Sequence, residues 1–385
     1  MILSLALMML SAQPRFDGNE QARPPIATPA QQKAAKDDDD MGRKIAVEVD
    51  KTNKPTDDLK MQARVDRIGN ELAAIANAHQ LIATWGDKRF TPFTYHFKVI
   101  KGEDVNAFSL PGGYIYVYEG LVKYVESDDE LAGVIGHEIS HAAFRHVPTL
   151  LKKSRQLSLI TLPLIIASIF AGGGQAAILG PLASLGSQAI GSGWSVEAEK
   201  AADYGGFQIL TFSKYNPVGM LTCMERFARD EHMGPAISWG IYRDHPPSLE
   251  RAESLTAYLA AANIPIRRSL VSSSYRADVV PSSDGLAVIR FNGQRLHGFA
   301  GDDAIQRADA SVEKLNQFFD LVPELYEARL GPDGNIYGRN RLLVTVTDSD
   351  AEAAKMTRSE LAAQTLSAIR GALYTYGDRV WQARA

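Results

Sequence analysis

The sequence has almost no cysteine and almost no excess of charge. Its single cysteine, Cys223, excludes an intramolecular disulfide and therefore a disulfide-stapled scaffold. The 41 basic and 45 acidic residues leave a formal net charge of −4, which gives no electrostatic reason to expect nucleic-acid binding. Hydrophobic residues make up 45% of the chain and charged residues 22%, so a mainly disordered chain is also excluded. The length of 385 residues predicts about two to three domains.

The N-terminal segment predicts export. Residues 1–12 are apolar and end in small residues, as the hydrophobic region and cleavage site of a secretory signal peptide do, although no Lys or Arg precedes the run. The alternatives are an apolar, fraying N-terminus and a misassigned start codon. Residues 13–40 are rich in Pro, Gln, Ala and Asp, a composition that predicts a disordered linker. We therefore expect a periplasmic or cell-envelope protein.

The remaining pattern predicts an α+β protein with two folded domains. Helical periodicity is clear over 59–78, and aromatic and β-branched residues with a Gly-Gly turn predict strands within 93–118. Residues 127–130 read S-x-x-E, the capping box that opens a helix. We expect a mainly helical domain with a small edge-strand sheet over 41–265. Strands followed by a helix, twice over, predict a small α+β domain over 266–385, whose role the sequence does not indicate.

The chemistry is indicated by His137, Glu138 and His141, which form the pattern H-E-x-x-H. A helix places both imidazoles on one face, where they can bind a single zinc ion, and Glu138 beside it as a general base. A catalytic zinc needs a third protein ligand. His146 is an unsuitable candidate because a helical offset of five turns it away from the ligand face, and the metzincin spacing is absent. The third ligand can instead come from a second helix, for which residues 195–203 are the candidate.

The chain resembles the HtpX-like and CAAX prenyl protease family of zinc metalloendopeptidases. Four ordered blocks carry the resemblance, which covers about residues 41–263. They are N-A-F-x-x-P-G-G at 106–113, G-H-E-x-x-H-x-x-x-R-H at 136–146, E-x-x-A-D-x-x-G at 199–206 and H-P-x-x-x-x-R at 245–251. The resemblance implies a zincin-like (gluzincin) fold and one zinc ion per chain, whose bound water Glu138 would deprotonate.

The resemblance also implies the roles of residues outside the H-E-x-x-H helix. Glu199 would be the third ligand, with Glu197 as the alternative in the same Glu-rich stretch. Asp203 would accept a hydrogen bond from a ligand imidazole, unless it is an exposed helix charge. Arg251 would orient the site or pair with a carboxylate. His245 would approach the oxyanion or gate the open zinc position, unless it is a structural residue before two prolines.

Substrate binding is implied for Asn106, Ala107 and Phe108, which resemble the family's edge strand that binds extended peptides by strand addition. The other histidines are expected to be structural or exposed: His79, His96, His232 and His297. No charged residue lies between Arg155 and Glu197. Within this stretch we expect 157–190 to form an amphipathic or buried hairpin that touches the membrane, the alternatives being a spanning or re-entrant hairpin and an ordinary core helix.

These expectations favour an envelope zinc endopeptidase that acts on unfolded or damaged proteins. The alternative is a chaperone-like or binding protein with a latent zinc site, whose C-terminal domain recognises a partner. The intact ligand set and Glu138 favour the enzyme. Prenyl-peptide processing is disfavoured because the sequence lacks the several transmembrane helices of the CAAX prenyl proteases.

Overall fold

The computed structural model describes residues 25–153, 194–233, 249–282 and 285–379. Its contacts divide the chain into two compact units, Met1–Pro265 and Ile266–Ala385. The predicted signal segment, the uncharged stretch 157–190 and His245 lie outside the described residues. In the described part of the chain, no helix combines the length and apolar character that a membrane crossing requires.

The first unit is mainly helical. Its described helices are α1 (Pro29–Thr52), α2 (Leu59–Ala78), α3 (Glu119–Tyr124), α4 (Asp128–Ala143), α5 (His146–Lys153), α6 (Trp194–Thr211), α7 (Val218–Met233) and α8 (Leu249–Ala261). Its strands are β1 (His96–Ile100), β2 (Ala107–Leu110) and β3 (Tyr114–Tyr118). The strands form one sheet in the order β1-β3-β2, with β1 parallel and β2 antiparallel to β3. β2 is thus an edge of the sheet, and it packs beside α4.

Residues 29–40 are helical, so the predicted disordered linker is wrong for this part of its range. Thr28 caps α1 in a capping box with Gln31. Two of the acidic residues form i,i+4 ion pairs within the helix, at 2.7 Å between Lys33 and Asp37 and at 2.8 Å between Lys36 and Asp40. Such pairs stabilise a helix locally, and they depend on the spacing of the residues, which the composition of the segment does not contain.

The helix that carries the H-E-x-x-H residues, α4, is anchored at its N-terminus. Ser127 caps it by accepting the backbone N–H of Glu130, as the capping pattern predicts. The Glu130 carboxylate is fully buried and accepts hydrogen bonds from the Thr222 hydroxyl at 2.9 Å and from Arg226 at 2.7 Å. Because Thr222 and Arg226 belong to α7, these bonds fix α4 against α7 at the start of the helix.

The same helix, α7, carries the only cysteine of the chain. Cys223 is 2% exposed, and burial raises the pKa of its thiol well above the usual value. The thiol is therefore protonated and inert in the folded protein.

Helices α4 and α6 approach closely because glycines meet at their contact. A Cβ atom on Gly206 would lie 2.9 Å from the backbone nitrogen of His137 and 3.1 Å from the carbonyl carbon of Gly136. A Cβ atom on Gly205 would lie 2.5 Å from the Ser140 hydroxyl oxygen. The two helices can therefore pack at this distance only where side chains are missing, and this contact brings α6 next to His137.

The second unit repeats one arrangement twice: a three-stranded antiparallel sheet followed by helix. The first repeat has β4 (Ala277–Pro281), β5 (Ala287–Phe291), β6 (Gln294–Phe299) and α9 (Ala304–Asp320). The second has β7 (Ala328–Leu330), β8 (Ile336–Gly338), β9 (Arg341–Val344), α10 (Asp348–Ala354) and α11 (Arg358–Arg379). One apolar cluster, which includes Phe291, Phe319 and Tyr376, forms its core. The predicted α+β fold class is confirmed.

Candidate metal centre

Two histidines of α4 and one glutamate of α6 converge on a single point. The Nε2 atoms of His137 and His141 lie 3.0 Å apart. The Glu199 carboxylate lies 3.3 Å from Nε2 of His137 through Oε2, and 3.2 Å from Nε2 of His141 through Oε1. Among the described residues, these three form the group of His, Cys, Asp and Glu side chains that is close enough to hold a metal ion. Glu197, the alternative third ligand, is exposed.

The donor set and its dimensions fit zinc. Two imidazole nitrogens and one carboxylate, with a fourth position left open, are the ligands of one class of catalytic zinc site. At metal–ligand distances of about 2.0–2.2 Å, two ligand atoms of a tetrahedral ion lie about 3.3–3.6 Å apart. The separations here, 3.0–3.3 Å, differ from this value by a few tenths of an ångström. Only small side-chain movements are needed to bind the ion.

Asp203 fixes the tautomer of His137. Its Oδ1 atom accepts the Nδ1–H of His137 at 2.9 Å, which leaves the lone pair on Nε2 directed at the metal position. Burial by itself would raise the pKa of Asp203, but Arg251 and His137 lower it to about 2. Asp203 is therefore a buried, ionised hydrogen-bond acceptor rather than an exposed helix charge.

Arg251 connects Asp203 with Glu199, the predicted third ligand. Its Nε and Nη2 atoms donate to the two carboxylate oxygens of Asp203 at 2.7 and 2.8 Å, and its Nη1 atom lies 3.2 Å from Oε2 of Glu199. The guanidinium is buried, so its charge compensates two carboxylates in a dry environment. One residue of α8 thus orients two carboxylates of α6.

The centre attracts cations. Burial disfavours the charged form of His137, but hydrogen bonds to Asp203 and Glu199 outweigh this effect and raise the pKa of His137 to about 10. The same two carboxylates would stabilise a divalent metal ion, and binding of that ion at Nε2 would displace the proton from His137.

Glu138 follows His137 on α4, and the residues predicted to bind substrate lie at the edge strand β2. Glu138 is 2% exposed and lines a cavity between α4, α6, α7 and α8, together with His137, Asp203 and Arg251 and with apolar side chains such as Met220 and Phe227. Asn106, Ala107 and Phe108 are buried at the start of β2, and the carbonyl of Asn106 accepts the N–H of Tyr118 at 3.0 Å.

The comparison with protein families decides the classification. Residues 60–259 match the family model described as Peptidase family M48. The chain belongs to peptidase family M48. In this M48 chain, residues 278–376 match a second model, a domain of unknown function (DUF8459), which lies within the second unit.

Relatives of this M48 chain include named metalloproteases. Metalloprotease LoiP of Escherichia coli (strain K12) is 35% identical over 174 residues, which cover 44% of this chain and 64% of the relative. The beta-barrel assembly-enhancing protease of Yersinia pestis is 26% identical over 278 residues, or 71% of this chain and 50% of the relative. The mitochondrial metalloendopeptidase OMA1 of Schizosaccharomyces pombe is 29% identical over 171 residues, which cover 44% of this chain and 48% of the relative. The chain therefore spans less than two thirds of the length of each of these relatives.

His146, which the sequence argument set aside, also belongs to the surroundings of this M48 metal centre. It is not one of the three converging donors, but its Nδ1 atom lies 2.8 Å from Nδ1 of His141, a predicted ligand. Burial lowers the pKa of His146 well below 6.5, so the ring is neutral. The R-H pair that ends the second motif block was the signal in the sequence for this contact. The remaining predicted site residue, His245, lies outside the described residues.

Proposed function

We propose that this chain is a zinc-dependent endopeptidase that hydrolyses peptide bonds in unfolded polypeptides. One observation carries the proposal: His137, His141 and Glu199 present donor atoms 3.0–3.3 Å apart, with Glu138 following His137 on the same helix. A chain that only stored a metal would not need the buried carboxylate of Glu138 next to the ligands. The four motif blocks support placing it in the HtpX-like and CAAX prenyl protease group within family M48.

The residues of the chain divide the work of the reaction. When bound, zinc supplies Lewis-acid polarisation of the scissile carbonyl and acidifies water at the site. Glu138 takes the proton of the attacking water on its carboxylate and passes it to the nitrogen of the leaving amine. Asp203 keeps the proton of His137 on Nδ1, and Arg251 holds the carboxylates of Asp203 and Glu199 in place. His245 contributes by stabilising the oxyanion or by gating the open position.

The substrate is an extended polypeptide. Asn106, Ala107 and Phe108 belong to the edge of the sheet beside α4, and a strand added there would use main-chain hydrogen bonds that depend little on sequence. Export to the bacterial envelope is supported by the apolar residues 1–12 and by the name of the Yersinia relative, which is a beta-barrel assembly-enhancing protease. Unfolded or damaged envelope proteins are the proposed substrates, and 157–190 is the proposed membrane-contacting segment.

The test compares the zinc-loaded chain with its Glu138→Gln variant on a fluorescently labelled unfolded protein. We expect the rate of cleavage to fall by roughly 10²–10⁴-fold while the zinc content, measured by metal analysis, stays at one ion per chain. Treatment with a chelator should abolish the wild-type activity, and added zinc should restore it. If the zinc-loaded wild type cleaves no faster than the variant, the latent-site alternative replaces the proposal.

A further inference from the structure

His146 reaches His141 because the helix between them ends. α4 finishes at Ala143, Arg145 adopts a left-handed conformation with φ of 54°, and α5 begins at His146. A two-residue turn at Phe144 and Arg145 therefore interrupts the helix. The rings of His141 and His146 meet edge to face, with their centroids 4.8 Å apart.

The hydrogen-bond partners fix where each proton lies. Nε2 of His146 lies 3.3 Å from the carbonyl oxygen of Trp85, which can only accept, so this nitrogen carries the proton. Nδ1 of His146 and Nδ1 of His141 lie 2.8 Å apart, so one of them donates and the other accepts. Binding of a metal at Nε2 of His141 requires the proton on Nδ1 of His141, so Nδ1 of His141 is the donor and Nδ1 of His146 is the acceptor. A proton on Nδ1 of His141 leaves the lone pair on Nε2, the atom that faces His137 and Glu199. This single arrangement accommodates all four ring nitrogens of the two histidines.

Residues distant in sequence hold His146 in this position. Arg145 donates to Asp38 of α1 and to Asp87, and Asp87 donates its backbone N–H to the carbonyl of Phe144 at 2.7 Å. Gly86 has φ of 97°, and a Cβ atom there would lie 2.4 Å from that same carbonyl. The loop at 85–87 therefore closes tightly over the end of α4 and presents the carbonyl of Trp85 to His146.

We propose that His146 is a positioning residue, whose Nδ1 atom accepts the Nδ1–H of His141 and thereby fixes the tautomer and ring orientation of this metal ligand. The inference rests on the proposed metal centre. It gives the two ligand histidines different partners, since His137 donates to a carboxylate and His141 donates to a neutral imidazole. Loss of such a partner costs roughly 10–100-fold in metal affinity.

The test measures zinc affinity in the full chain by competition with a chromophoric chelator. The two main variants are His146→Asn and His146→Leu, whose new side chains have nearly the same shape. Only the Asn side chain has a hydrogen-bond acceptor near the position of the original Nδ1 atom. His146→Phe is a second variant without an acceptor, and it keeps a ring of similar size. His79→Leu is the control. His79, just after the end of α2, stacks on Phe212 with the ring centroids 4.0 Å apart, so this substitution also removes a ring contact.

We expect the dissociation constant for zinc to rise roughly 10–100-fold in the Leu and Phe variants and by less than about threefold in the Asn and His79→Leu variants. Thermal unfolding of the metal-free variants should give similar midpoints for Asn and Leu, which separates zinc affinity from folding. Equal losses in Asn and Leu, or wild-type affinity in Leu and Phe, would overturn the proposal. If the wild type binds zinc without cleaving peptides, the proposed function fails while the role of His146 is still measured.

Discussion

Asp38 and Arg145 form a two-pronged ion pair across 107 residues of sequence. Nε of Arg145 donates to Oδ2 of Asp38 at 2.5 Å, and Nη2 donates to Oδ1 at 2.8 Å. Both side chains are buried, and Asp87 binds the remaining Nη1 atom at 2.9 Å. Helix α1 is thus attached to the residue that precedes His146, the histidine that contacts His141.

Asp38→Asn should destabilise the first unit by about 1–3 kcal/mol, because Arg145 loses a buried charged acceptor and keeps only Asp87. The matched control is the neighbouring Asp37→Asn, which removes only an exposed i,i+4 pair with Lys33 and should change stability by less than about 0.5 kcal/mol. Urea-induced unfolding followed by circular dichroism measures both. Equal effects would show that the Asp38–Arg145 pair does not anchor α1.

Asp87 should make the first unit sensitive to acid. Hydrogen bonding from Arg89, opposed by partial burial and reinforced by Arg145, holds the pKa of Asp87 well below its usual value of 3.8. The stabilisation is therefore fully present above about pH 5 and is lost as the pH falls below about 4, since the unfolded state then binds a proton that the folded state does not. We expect the wild type and Asp87→Asn to converge in unfolding free energy between pH 5 and strong acid. Parallel pH curves would contradict this assignment.

Glu199→Gln should weaken zinc binding by more than the roughly 10–100-fold that loss of a ligand's hydrogen-bond partner costs, because it removes a charged ligand itself. Glu197→Gln is the matched control on the same helix, and its exposed side chain predicts unchanged affinity. Chelator competition measures both constants. A larger effect of Glu197→Gln would reverse the ligand assignment.

Gly206→Ala should separate α4 from α6, since the new methyl group would lie 2.9 Å from the His137 nitrogen. We expect a loss of about 1–3 kcal/mol in stability and weaker zinc binding, because Glu199 and the two histidines are on the separated helices. Gly371→Ala, on α11, is the control. A Cβ atom there meets nothing within 4 Å, and the substitution should stabilise its helix by about 0.4–1 kcal/mol. Unchanged zinc affinity in Gly206→Ala would show that the helix contact does not set the ligand geometry.

The arrangement of side chains within α4 was predictable from the sequence. His137, Glu138 and His141 follow from helical spacing, and the cap at Ser127 follows from a four-residue pattern, because such relations depend only on neighbours in one helix. Glu199 required the resemblance to the family, since spacing along the chain does not reveal which two helices touch. The contact between Gly136 and Gly206 explains why α4 and α6 are the two helices that touch.

Two failures of the sequence argument have identifiable causes. His146 is not one of the three converging donors, in agreement with the sequence, but the expectation that a continuous helix turns it away from His141 is wrong, because Arg145, with φ of 54°, ends the helical phase. The polar composition of residues 29–40 predicts a disordered linker, whereas these residues are helical. Their order depends on a capping box, on local ion pairs and on the distant partner Arg145, and the composition of a segment contains none of these.

The buried thiol of Cys223 gives the native sequence its own reporter of conformational opening. A thiol reagent can modify it only when the first unit opens, since the folded state buries the group and keeps it protonated. The second unit has no cysteine, so its fluctuations leave the reaction unaffected. The rate of alkylation therefore counts openings of the first unit alone. A ligand that binds only the folded first unit, such as a metal ion at its centre, becomes measurable as a slower rate without any introduced label.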